Sequence, residues 1–241
     1  DIILSVTKQT YKLTQGKMKK FLLSLALVAG AFLTGCATTP MPYSKDGETV
    51  DLKTNAVVLF TIDQKNDYKK SFQPKVDYVY GALEGSKESK DRFTLAPDDK
   101  AKMGMDTFER GDKYLMRVTL VPGDYVLSHA LSHSRIFPIT ALYALPIRAP
   151  FKVEGPGVIY LGNISGTVRE RKDGEFRAGS VIPLLDQAIG GASGGTFDVT
   201  ISDQWEKDRL DFLQRFPQLK DVEVKKMILP PFNRAEVEKN W

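Results

Sequence analysis

The sequence predicts a mainly-β fold, a β-sandwich carrying one C-terminal amphipathic helix. Two observations predict it. From residue 55 onwards, short β-branched and aromatic runs recur between Gly, Pro and Asp turns, and only the stretch 203–216 repeats its apolar residues at helical spacing. Many short strands with a single long helix fit two packed sheets better than a parallel sheet alternating with helices.

In order, Asn55 to Ile62 is a continuous apolar run bounded by Asn55 and Asp63, the pattern of a central strand. Val76 to Leu83 follows, with Tyr78, Val79 and Tyr80, and the charged stretch Glu84 to Gly104 reads as loop. Tyr114, Met116, Val118 and Leu120 alternate with Leu115, Arg117, Thr119 and Val121, and Pro122-Gly123-Asp124 turns the chain into Tyr125-Val126-Leu127, so 114–131 is expected to be a hairpin. Phe151-Lys152-Val153 and Val158 to Leu161 flank Gly155-Pro156-Gly157 as strand, turn, strand. Thr167 to Arg171 and Glu175 to Arg177 flank Asp173-Gly174, the composition of a tight hairpin. Phe197, Val199 and Ile201 alternate with Thr196, Asp198 and Thr200 as a final strand with one dry face. The helix 203–216 has Ser202 or Asp203 as cap and Glu206 in capping-box position. Trp205, Phe212, Leu213 and Phe216 share one face before Pro217 stops it, which predicts docking against a sheet.

Ahead of these elements the chain has a different character. Met18-Lys19-Lys20 precedes the apolar run 21–33, and Leu33-Thr34-Gly35-Cys36 ends it. Thirteen helical residues at ~1.5 Å rise span about 20 Å, short of the ~30 Å hydrocarbon core, so a secretory signal is expected instead of a membrane span. The segment 18–35 with Cys36 resembles the signal of a bacterial lipoprotein precursor, whose lipobox is cut before the Cys. The resemblance implies a diacylglyceryl group on the Cys36 thiol and an acyl group on its freed amine. Ala37 rather than Asp after Cys36 implies, within that family, release to the outer membrane of a Gram-negative envelope, facing the periplasm. Residues 1–17 read as an upstream extension from a misplaced start codon, 36–54, with Pro40, Pro42 and Gly47, as a flexible tether, and 55–241 as the sandwich domain.

Cys36 is the single cysteine, which excludes a disulfide within the chain. The 34 Lys and Arg exceed the 30 Asp and Glu, but five of those lysines and one aspartate precede residue 36, leaving 29 of each. A neutral mature chain gives no electrostatic footprint for nucleic acid.

Val121-Pro122-Gly123-Asp124-Tyr125, Phe151-Lys152-Val153 and Val158-Ile159-Tyr160-Leu161 resemble an arrangement in uncharacterised bacterial lipoproteins. Their sandwich is related to transthyretin-like and carboxypeptidase-regulatory domains. The resemblance spans about 55–201, implies the same fold, and transfers no catalytic residue.

Candidate chemistry is sparse. Gly191-Ala192-Ser193-Gly194-Gly195 matches G-x-S-x-G, but it leads into a strand, whereas a nucleophile elbow needs a strand before the Ser and a helix after it. His129 and His133 are the only histidines; in a strand they lie about 13 Å apart, too far for one zinc ion. Asp98-Asp99 and Asp203 with Glu206 and Asp208 read as solvated faces and caps. No cofactor, metal or catalytic set is therefore assigned. The expectation is a non-catalytic binding or structural module held to the membrane through lipid on Cys36, with an envelope protein as partner. The alternative is an envelope hydrolase with Ser193 as nucleophile.

Overall fold

A computed structural model of the chain describes residues 38–103, 111–182 and 188–241. The extension 1–17, the signal 18–35 and Cys36 lie outside the described residues. Two sheets pack face to face, as expected of a β-sandwich, with a helix on the outside of one of them. The larger sheet contains β1 (Ala56–Asn66), β4 (Asp112–Leu120), β7 (Gly157–Glu170) and β8 (Gly195–Ser202) in the order β4-β1-β7-β8, with the short β9 (Val224–Lys226) pairing β7. The smaller sheet runs β3-β2-β5-β6, from β2 (Lys75–Leu83), β3 (Arg92–Leu95), β5 (Gly123–Ile136) and β6 (Ile139–Val153). The helices are α1 (Trp205–Arg215) and the short α2 (Arg234–Asn240), whose cap Asn233 accepts from the Glu236 amide.

The unbroken apolar run at the start of β1 has a direct explanation. Val58, Phe60 and Ile62 face the other sheet, while Val57 and Leu59 face away from it and are equally buried, under α1. β7 divides likewise, Ile159 and Leu161 inward, Val158 and Tyr160 outward. β1 and β7 run parallel, with a register shift between Leu59 and Thr61, where β7 carries an extra residue. Gly162 occupies this bulge with φ 107°, and a Cβ there would sit 2.9 Å from the Ser202 carbonyl oxygen. Phe212 and Phe216, both at 0% exposure, complete the second core, as the helical stripe predicted. The capping box is not used. Gln204 is the N-cap and makes no side-chain cap bond, while Asp203 accepts from the Trp205 amide at 3.0 Å.

Several local expectations are corrected by the tertiary pairing. The turn at 121–122 does not make a hairpin, because β4 and β5 lie in different sheets; the strand, turn, strand reading around 154–156 holds, with β6 and β7 likewise in different sheets. Gly and Pro specify that the chain reverses, but the sheet it joins depends on which strand edge is free. The true hairpin is β5–β6, closed at Ile136↔Ile139 around the cis Phe137–Pro138 bond. Most of β6 escapes recognition in the sequence because Pro146, Pro150 and the positive φ of Arg148 interrupt it. An edge strand such as β6 tolerates proline. Residues 175–177 do not pair with β7, whose edges are already taken by β1 on one side and by β8 and β9 on the other. Instead Ala178 links the sheets, its carbonyl accepting from Ala144 N at 2.7 Å and its amide donating to Gly195 O at 2.8 Å. Within the expected loop 84–104, β3 pairs with β2.

The expected tether is also folded, over the part that is described. Met41 and Tyr43 are 4% and 3% exposed, and Tyr43, Val50 and Leu52 pack into the core beneath α1. Arg117 on β4 holds this segment. Its fully enclosed guanidinium donates from Nε to Pro42 O (2.8 Å), from Nη1 to Leu115 O (3.0 Å) and from Nη2 to Asp98 Oδ2 (2.5 Å), and lies 4.1 Å from the Phe216 ring centroid. Ser44 Oγ donates to the same Asp98 oxygen at 2.6 Å. A low apolar content therefore misreads this segment, because its few apolar residues are packed and hydrogen bonds supply the rest of its attachment.

Phe212→Ala is expected to cost about 3–5 kcal/mol in a denaturant melt, the usual range for emptying an enclosed aromatic site. Asp98 supplies a pH-dependent test. Burial pushes its carboxyl up, but the hydrogen bond from Ser44 and the charge and hydrogen bond of Arg117 outweigh this and hold it below the ordinary carboxylate range. A depressed folded-state value means stability that is present above the unfolded value of about 3.9 and lost as pH falls through the folded one. The thermal midpoint of the natural chain is therefore expected to fall more steeply below about pH 4 than that of Asp98→Asn, while the variant is the less stable at neutral pH.

Candidate functional site

The outer strand edges are met at particular positions by other parts of the chain. Met103 N and Ala101 O bond to β4, Thr39 N and Oγ1 to Thr94 on β3, Ala178 O to β6, and Arg234 Nη2 to Phe197 O on β8. These contacts hinder strand addition where they sit. The outer face of the smaller sheet carries exposed rings and apolar side chains.

That face is built by alternation and by bulges. Val76, Val79, Leu127 and Ala130 turn into the core, which sends Tyr78, Tyr80, His129, Leu131 and His133 outward. Register shifts between Val76 and Tyr78 in β2 and between Leu127 and His129 in β5 place Asp77 beside His133 and Ser128 beside His129. His133 Nδ1 lies 2.8 and 2.9 Å from the two carboxylate oxygens of Asp77. His129 Nδ1 lies 2.8 Å from Ser128 Oγ, and its ring stacks on Tyr80 with centroids 4.7 Å apart. Burial, then the positive charge of Arg148, push the His129 ring below its ordinary value, so it is neutral at physiological pH. Tyr78 and Leu142 remain 39% and 41% exposed. An antiparallel sheet ordinarily presents polar residues to water, and a face carrying two tyrosines and two leucines departs from that pattern. Rings and apolar side chains beside a carboxylate–imidazole pair suit non-covalent recognition.

Ser193 lies elsewhere, in the loop entering β8, and its carbonyl accepts from Arg177 Nη1 at 2.5 Å. Among the described residues neither histidine hydrogen-bonds it. The Gly-rich loop around it is tightly held: Gly190 O accepts from Tyr143 OH (2.7 Å) and Asn66 Nδ2 (3.0 Å), and Gly191 has φ 83°. Among the described residues no group of three or more His, Cys, Asp or Glu is placed to hold a metal ion.

The acidic residues divide. Asp203 caps and pairs with Lys226, and Asp98 pairs with Arg117. Asp208 corrects the expectation of a solvated residue, because helix register turns it toward the sheet one turn before Phe212. At 1% exposure it accepts from Thr61 Oγ1 (2.7 Å), Tyr160 OH (2.5 Å) and Lys113 Nζ (2.7 Å), and Lys113 also reaches Asp211 at 2.6 Å. Burial and the Asp208 carboxylate push the Tyr160 hydroxyl up, keeping it a donor. Its i,i+4 spacing to Phe212 was the available signal. For the sheet face the signal is the alternation of Tyr78 and Tyr80 about Val79; Leu142 is out of reach because the part of β6 before Phe151 carries no strand pattern.

No family model and no curated protein matches the chain. A leucine-rich repeat protein from Bacteroides thetaiotaomicron matches in structure at 15% identity and TM-score 0.31, covering 48% of this chain and 14% of its own length. Among the described residues no helix is long and apolar enough to cross a membrane.

Proposed function

We propose that the chain is a membrane-anchored lipoprotein of the cell envelope, held in the outer membrane and facing the periplasm of a Gram-negative host, whose sandwich is a non-catalytic binding or structural module. Support for the anchor comes from Met18-Lys19-Lys20, the short apolar run and Leu33-Thr34-Gly35-Cys36. One observation carries the non-catalytic reading: among the described residues neither histidine hydrogen-bonds Ser193, which lies in the loop entering the other sheet. Trp241 packs against His129 on the smaller sheet's outer face, and the part carrying Tyr78, Leu131 and Leu142 is the surface this reading offers to an envelope protein. The balanced charge of residues 36–241 gives nucleic acid no purchase.

Two measurements test this. Natural protein should incorporate labelled fatty acid and Cys36→Ala should not; a natural chain that takes up no label and stays soluble overturns the anchor. Ser193→Ala, expressed at normal level, should complement a deletion strain. Loss of complementation in this variant, with its circular dichroism intact, overturns the non-catalytic reading in favour of the hydrolase.

A further inference from the structure

We infer that one end of the sandwich, the mouth around Val121 and Pro122, is the surface that seats on the lipid bilayer. This rests on the lipoprotein reading and adds to it which face meets the membrane.

A cleft of about 410 Å³ opens at this end, lined by Leu83, Phe93, Leu120, Val121 and Tyr125 with Lys90 and Arg92 among its polar residues. Thr39 also lines it. Going backwards along the chain, Pro42 sits at Arg117 and Thr39 at Thr94, so the N-terminal segment runs along the domain to this cleft while fixed by hydrogen bonds. Cys36 precedes Thr39 by three links. At ~3.3–3.6 Å per residue those links reach about 11 Å at most, so a lipid on Cys36 cannot let the domain drift away from the bilayer. A flexible tether over 36–54 would have left every face equally accessible; its docking under Arg117 selects one.

The chemistry of this end suits a lipid surface. Val121, on the two-residue connection between β4 and β5, is 57% exposed, and Pro122 has no amide hydrogen to leave unpaired on contact with headgroups. Lys90 and Arg92 line the cleft with Asp91, and Lys90 pairs with Glu88 at 2.8 Å, so this end is charge-balanced and its seating rests on chain length and apolar exposure. At the other end of β5, fourteen residues long and so about 40 Å away at ~3.3 Å per residue, Phe137 is 93% exposed and faces water.

Cys36 is the single cysteine and its thiol is consumed by lipidation, so a cysteine introduced elsewhere is the only reactive thiol. Full-length lipidated Val121→Cys and Phe137→Cys proteins, each carrying an environment-sensitive fluorophore, are reconstituted in vesicles of phosphatidylethanolamine and phosphatidylglycerol containing a headgroup nitroxide quencher. Both positions are exposed, so folding is retained. Quenching at 121 is expected to exceed that at 137 several-fold. Equal quenching at both positions, or stronger quenching at 137, in protein that carries the acyl label overturns this inference alone. Absence of the acyl label overturns the lipoprotein reading and the inference together.

Discussion

The buried guanidinium of Arg117 is the interaction on which the rest of the architecture depends. One planar group joins four parts of the chain: its own strand through Leu115 O, the N-terminal segment through Pro42 O, the loop after β3 through Asp98, and the end of α1 through the Phe216 ring. Burial lowers its tendency to hold a proton, but an arginine keeps its charge under such conditions and its fixed fork of donors suits three acceptors at once. Removing one partner of a buried ionic pair costs about 3–5 kcal/mol, because the other charge is left uncompensated. The expense of enclosing Arg117 thus becomes a penalty against any arrangement in which Pro42 or Asp98 is absent.

Arg117 belongs to a third layer that a simple sandwich lacks. The outer face of the larger sheet carries Val57, Leu59, Leu115, Val158 and Tyr160, and these need cover from water. α1 and the 38–54 segment supply it from opposite ends of the chain. Where the layer meets polar residues of the sheet, Asp208 gathers Thr61, Tyr160 and Lys113 around one carboxylate. Apolar burial holds α1 on the sheet without fixing its rotation, and this hydrogen-bonded carboxylate sets its register.

The proposed binding role rests on the asymmetry between the two outer faces. The larger sheet is covered by its helix, while Tyr78 and Leu142 on the smaller sheet are 39% and 41% exposed. The histidines sit on the open face with partners that orient them without bringing them to Ser193. A face of rings and leucines held by a stiff sheet can recognise a partner with little loss of side-chain freedom, and that favours binding over chemistry.

The sequence by itself determined the fold class, most strand positions, the helix with its buried Phe212 and Phe216, and the lipobox-like segment at Cys36, since periodicity and turn composition are local properties. The unbroken apolar run of β1 marked a central strand, and the structure shows it buried on both faces. Tertiary structure alone decided which sheet each strand joins after the turns at 121–122 and 154–156, that β6 survives its prolines, and that the low-hydrophobicity segment 38–54 is folded. It also decided that Asp208 and Arg117 are interior. The physical reason is common to all of these: pairing depends on which edges remain free, and a charge is buried only when partners distant in sequence, such as Asp98 for Arg117 or Thr61 for Asp208, arrive to satisfy it.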